Sequence, residues 1–124
     1  MNIAFEDIES AARRIAGAGI LVGKSTHTAE QFGAALAEEP DYLAIGPMFP
    51  SETKPRPHIA GPATLTAVRG RTELPLVAIG GITAANVAQV IAAGATCVAV
   101  SAAVITADDP EAAARAIRAG MSAA

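Results

Sequence analysis

The chain holds a single cysteine, no tryptophan and only 3% aromatic residues among its 124 positions. One thiol, Cys97, excludes an internal disulfide framework and fits a reducing compartment. No apolar run approaches the roughly 18 residues that a membrane span requires. The first residues lack a basic segment followed by an apolar stretch, so no secretory signal is expected. Positive charge is in short supply: nine Lys and Arg stand against twelve Asp and Glu, a formal net charge of -3. That balance argues against general nucleic-acid binding, which favours a basic face. There is no CxxC or HExxH spacing to suggest a structural zinc site, and no Ser-His-Asp arrangement can be read from the order of residues. What is abundant is aliphatic: 52% of the residues are hydrophobic. That composition suits Ala-rich helices packed on aliphatic strands and does not suit a disordered chain. These features predict one soluble, cytoplasmic domain over 1–124, with enough chain to bury about two-thirds of its unfolded surface.

Helical and strand patterns alternate along the chain. Ile8, Ala11, Ala12 and Ile15 recur at helical spacing over 7–16, and Gly17 and Gly19 stop that helix. Ile20–Val22 reads as a short strand ending at Gly23. Ser25 or Thr28 caps a second helix that carries Phe32, Ala35 and Leu36 and ends before Pro40. Tyr42–Ile45 is the next strand. A proline-rich loop follows to about Ile59, with prolines at 47, 50, 55 and 57. Gly61–Val68 is a helix with Pro62 in its first turn. Leu76–Ile79 is a strand that opens into Gly80-Gly81. Thr83 caps a helix carrying Val87, Val90 and Ile91, which Gly94 ends. Cys97–Val100 is the last strand, and Asp108 or Asp109 caps a final helix that starts at Pro110. The strands are continuous apolar runs without clear alternation, the pattern of parallel strands buried on both faces. The expected fold class is therefore α/β, built of parallel βα units: four strands and five helices. A closed (β/α)8 barrel needs about 250 residues, so this is half of one.

In such sheets ligands bind at the carboxyl ends of the strands. Four segments qualify. Gly23–Thr28 offers hydroxyls, a lysine and an imidazole, against the alternative of simple helix capping. The loop after Gly46 offers Ser51, Thr53 and Lys54, two hydroxyls and an ammonium suited to an oxyanion; the alternative is a solvated loop. Gly80-Gly81 lets backbone N–H groups approach a ligand at a helix start. Ser101-Ala102 leaves room after the last strand, where barrels of this kind frequently bind phosphate. Cys97 reads as an inert strand residue.

These segments resemble the thiamine phosphate synthase and TenI family. Gly23–Thr28, GKSTHT, resembles the family's GVSTHT. Asp41–Lys54, DYLAIGPMFPSETK, resembles DYIGFGPIFPTxTK. Pro75–Thr83, PLVAIGGIT, resembles PVVAIGGIT, and Ala93–Val104, AGATCVAVSAAV, resembles AGADGVAVVSAI. The resemblance implies a TIM barrel and a transferase of thiamine biosynthesis. That enzyme joins 4-methyl-5-(2-phosphoethyl)thiazole to the aminopyrimidine diphosphate, with Mg2+, and releases pyrophosphate. By the same resemblance Lys54 and Ser25 serve the pyrophosphate end. Ser51, Thr53, Gly81, Ser101 and Ala102 hold the thiazole phosphate, and Asp7 is the Mg2+ carboxylate. Ser51 stands where the family has Thr, which keeps the hydroxyl. Ser101-Ala102 stand where it has an aliphatic residue followed by Ser. The Gly and Gln of the family's GQED segment are absent around Asp7.

The family's QxRxK segment and Asn-Asp pair, which belong to the first half of the barrel, find no match in these residues. Two other readings follow: a non-catalytic TenI-like module that kept the phosphate cup, and half of another phosphate-binding barrel such as an isomerase. The chain is expected to be truncated on the N-terminal side of its domain. It would then expose Ile20, Val22, Leu43, Ile45, Val77, Ile79, Val98 and Val100 on an inner face. It is therefore expected to form a homo-oligomer or to pair with a separate N-terminal half.

Overall fold

In the computed structural model, residues 8–17, 19–50 and 58–122 are described. Helix α1 spans Ile8–Ala16, followed by β1 (Gly23–Thr26), α2 (Ala29–Ala37), β2 (Tyr42–Ile45), α3 (Gly61–Val68), a 3-10 turn (Arg69–Arg71), β3 (Leu76–Ile79), α4 (Val87–Ala93), β4 (Cys97–Ala99), α5 (Ala102–Ile105) and α6 (Pro110–Ser122). The four strands form one sheet in the order β1-β2-β3-β4, with every pair parallel.

Local chemistry accounts for most of these boundaries. Thr28 caps α2 by accepting a hydrogen bond from the Gln31 N–H, and Asp109 does the same for the Ala112 N–H at the start of α6. Pro62 occupies the first turn of α3, where a missing N–H costs nothing. Gly94 closes α4 at φ 125°, a conformation that side chains other than glycine's disfavour.

Paired residues in a parallel ladder share a face, and the register therefore sorts the strand residues into two sets. One set contains Lys24, Leu43 and Leu76, then Thr26, Ile45, Ala78 and Val98. These lie under the helices, and Leu43, Ile45, Leu76 and Ala78 join Phe32, Leu65, Val68, Val87, Val90 and Ile117 in one core. Each fully buried leucine, isoleucine, valine or phenylalanine among them contributes about 1.5–3 kcal/mol by leaving water. The other set contains Gly23 and Tyr42, then Ser25, Ala44, Val77 and Cys97, then Ile79 and Ala99. None of these is buried.

Several expectations are corrected here. The sheet is packed on the helix side and only partly covered on the other, so β1, β2 and β3 alternate in burial while β4 does not. Leu43, Ile45 and Val98 face the helices; of the strand residues expected on an inner face, Val77 and Ile79 are on the bare side. The first strand starts at Gly23, not at Ile20. Val22 approaches Asp41 through two hydrogen bonds, its N–H to Asp41 Oδ2 and its carbonyl from the Asp41 N–H. The ladder itself begins one step later, and Leu21 is left 77% exposed. Apolar character misplaced this edge strand, because its bare-face residues are Gly23 and Ser25. Six α-helices, not five, are found among the described residues. The extra one, α5, follows Ser101, whose side chain makes no capping bond that could have marked it. Ile15, expected on the buried side of α1, is 88% exposed.

Candidate functional site

At the carboxyl ends of the four strands lies a cleft of about 750 Å³. Ser25 and His27 line it from β1, Gly46, Pro47 and Phe49 from the β2 end, Ile79 to Thr83 from the β3 end, and Ser101 to Ala103 from the β4 end. A second hollow, at Gly70–Leu74, lies before β3, at the opposite end of that strand. The chemistry-bearing segments converge on the first and not on the second.

The β2 and β3 ends are locked together. Gly46 and Pro47 are joined by a cis peptide bond. Beyond it the chain runs alongside β3: Met48 N–H donates to Ile79 O at 3.0 Å and Phe49 N–H to Gly80 O at 3.1 Å. Gly80 and Gly81 have φ of 100° and 69°. A Cβ on Gly80 would sit 2.7 Å from Pro47 Cα, and one on Gly81 2.6 Å from Phe49 O. Both glycines are thus required twice, by their backbone angles and by the closeness of the neighbouring loop.

The β1 end is held by histidines. His27 Nδ1–H donates to the Gly46 carbonyl at 2.6 Å, which in the neutral ring leaves Nε2 as the acceptor. His58 Nε2–H donates to His27 O at 3.1 Å, and the His27 N–H donates to Gln31 Oε1. Thr26 is buried and donates its hydroxyl proton to Ala44 O. Lys24 does not reach the cleft: it lies on the helix side and pairs with Glu38 at 2.9 Å. The positive charge expected from this segment is therefore turned away.

Of the predicted site residues, Ser25, Gly81, Ser101 and Ala102 line this one cleft. Ser51, Thr53, Lys54 and Asp7 lie outside the described residues. Asn86 went unnoticed in the sequence because it fell within a helical pattern. Its position three residues after Thr83, at a helix start, was the available signal. Its carboxamide bonds Gly81 O and the Thr83 N–H. Among the described residues no three of His, Cys, Asp or Glu gather where they could hold a metal ion.

The sequence-family model for thiamine monophosphate synthase matches residues 6–104. The chain belongs to that family. It is 46% identical to the thiamine-phosphate synthase of Mycobacterium sp. (strain KMS), over 86% of this chain and 48% of that protein. It is 49% identical to the thiamine-phosphate synthase of Methanoculleus marisnigri, over 91% of this chain and 54% of that one. Among solved structures, the thiamine phosphate pyrophosphorylase from Pyrococcus furiosus superposes with a TM-score of 0.80 at 29% identity, covering 91% of this chain and 54% of that one. The chain thus spans about half the length of these family members. The match supports a TIM-like α/β fold of which these four strands are a part.

Proposed function

We propose that the chain carries the thiazole-phosphate half of a thiamine phosphate synthase active site. In this reading it contributes to joining 4-methyl-5-(2-phosphoethyl)thiazole to the aminopyrimidine diphosphate with release of pyrophosphate. The observation that carries it is the gathering of Gly81, Ser101 and Ala102 at one end of a single cleft, with Ser25 and His27 at the other. The glycine turn and the opening of α5 supply backbone N–H groups, which suit phosphate oxygens. Phe49, Pro47 and Ile79 supply apolar wall between the two ends, suited to a heterocycle. Ser51 and Thr53 add hydroxyls to the phosphate, and Lys54 adds a point charge facing the leaving pyrophosphate. Mg2+ belongs to this proposal through Asp7. It would neutralise the diphosphate, and the described residues offer no site of their own for it. A cytoplasmic setting goes with the same reading.

The bare sheet face is part of the proposal. β1 and β4 are both edges, and Ile79 on that face is 46% exposed. We place a second βα layer there, from another copy of this chain; a separate N-terminal half is the competing occupant.

An assay with both substrates and Mg2+ tests the activity directly, with and without a co-expressed N-terminal half. Calorimetry with the thiazole phosphate alone tests the cleft. Binding is expected for the wild-type chain and lost in Gly81→Asp. Lys54→Ala is expected to keep that binding and to weaken pyrophosphate. Unchanged thiazole-phosphate affinity in Gly81→Asp would refute the site. Binding without turnover under every condition would move the reading to the TenI-like module.

A further inference from the structure

Asn86 stands at the N-cap of α4, where an asparagine ordinarily accepts a hydrogen bond from its own helix. It does not do so here. Its side chain reaches back instead: Oδ1 accepts from the Thr83 N–H at 2.8 Å, and Nδ2 donates to Gly81 O at 3.0 Å. Both ends of the carboxamide are therefore committed to the glycine turn.

The effect on the turn follows from peptide geometry. Across a trans peptide the C=O and the N–H point in opposite directions. Gly80 O is taken from one side by the Phe49 N–H at 3.1 Å, which aims the Gly81 N–H the other way. Gly81 O is taken by Asn86, which does the same for the Ile82 N–H. Neither Gly81 N–H nor Ile82 N–H donates to an acceptor among the described residues. Both residues line the cleft. Two consecutive N–H groups, each fixed by a bond to the carbonyl of its own peptide, are the elements from which an anion-binding concavity is built.

We infer that Asn86 is the positioning residue of this site. It holds the Gly81–Ile82 peptide so that the Ile82 N–H joins the Gly81 N–H as a second donor to a phosphate monoester. The inference rests on the reading above only for the identity of that ester; the anion site stands on the geometry. Asn86→Asp separates the two bonds of the carboxamide. It keeps an acceptor for Thr83 and replaces the donor to Gly81 O by an oxygen that repels it.

Amide NMR of the full chain, titrated with inorganic phosphate, reads the site without any assumption about the thiazole. In the wild type the Gly81 and Ile82 amide resonances are expected to shift together. In Asn86→Asp and Asn86→Ala, the Ile82 shift is expected to vanish. Calorimetry then compares the phosphorylated thiazole with its free alcohol. The variants are expected to bind the ester about tenfold more weakly or worse, with the alcohol unchanged, as for loss of a hydrogen bond to a charged group. A wild-type titration in which Gly81 and Ile82 do not move overturns the proposal. So do variants that bind the ester as tightly as wild type, or lose ester and alcohol equally. If phosphate moves both amides and the thiazole phosphate does not bind, the substrate assignment fails and the role of Asn86 stands.

Discussion

The two sides of the sheet are made by the same fifteen strand residues, yet they are covered unequally. On the helix side Leu43, Ile45, Leu76 and Ala78 are buried, while Lys24 and Val98 at its two edges are half-buried. On the other side Ser25 and Ile79 are exposed and Ala44 and Val77 only half-buried. The residue types differ only modestly. Valine and isoleucine stand on the bare side and alanine on the covered one. Hydrophobicity alone therefore does not say which face is inside. What decides is which face the crossover helices fold back upon, and register then assigns every side chain at once.

The sharpest way to test that contrast is a pair of truncations. Leu43→Ala, in the core shared with Phe32 and Leu65, is expected to cost about 2–5 kcal/mol in urea unfolding, the range for a fully buried leucine. Ile79→Ala on the bare side should cost well under half of that, because nearly half of its surface is already wet. Equal losses would mean that the bare face is covered as tightly as the core.

Backbone strain should come next. Gly80→Ala adds a Cβ against Pro47 at a φ of 100°. It is expected to lower stability by about 1–3 kcal/mol and to loosen the Phe49 N–H bond, visible as faster amide exchange. Wild-type exchange and stability would show that the two loops are not packed as described.

Ile79→Glu addresses the proposed cover of the bare face. Sedimentation is expected to shift toward the monomer while the far-ultraviolet dichroism stays constant. A wild-type chain that is already monomeric at micromolar concentration, with and without an N-terminal half, would break the proposed pairing.

The smallest effect belongs to Lys24→Met. The pair with Glu38 at 2.9 Å is partly exposed, with side chains 28% and 21% accessible. Its loss should change stability by about 0–1 kcal/mol and fade further with salt. It should also leave ligand affinity untouched, because Lys24 is on the helix side of the sheet. A large fall in phosphate binding would return this lysine to the cleft.

Legibility in the sequence followed punctuation. β2, β3, α3 and the end of α4 were readable because Pro40, Gly46, Pro62, Gly80 and Gly94 mark them by rules of backbone conformation, whereas α4 starts after Asn86 and not at the expected cap, Thr83. β1 was not, since an edge strand with one bare side spells Gly-Lys-Ser-Thr and looks like a turn. The site was readable where small or hydroxyl residues follow a strand, as at Ser25, Gly81 and Ser101. The direction of Lys24 depends on register, which no local pattern carries. The bond from His27 to Gly46 and the grip of Asn86 on Gly81 are side chain to carbonyl contacts between segments, and composition and periodicity do not encode these.

The strand order has one more consequence. Each strand pairs with its immediate successor, so the chain never waits for a distant segment to complete a ladder. As the polypeptide emerges during synthesis, β2 meets a β1 that is already present, then β3 meets β2, and β4 meets β3. Such growth from the amino end closes one modest loop at a time and keeps the entropic cost of each closure small. A translational pause after any βα unit would leave a shorter, correctly ordered sheet.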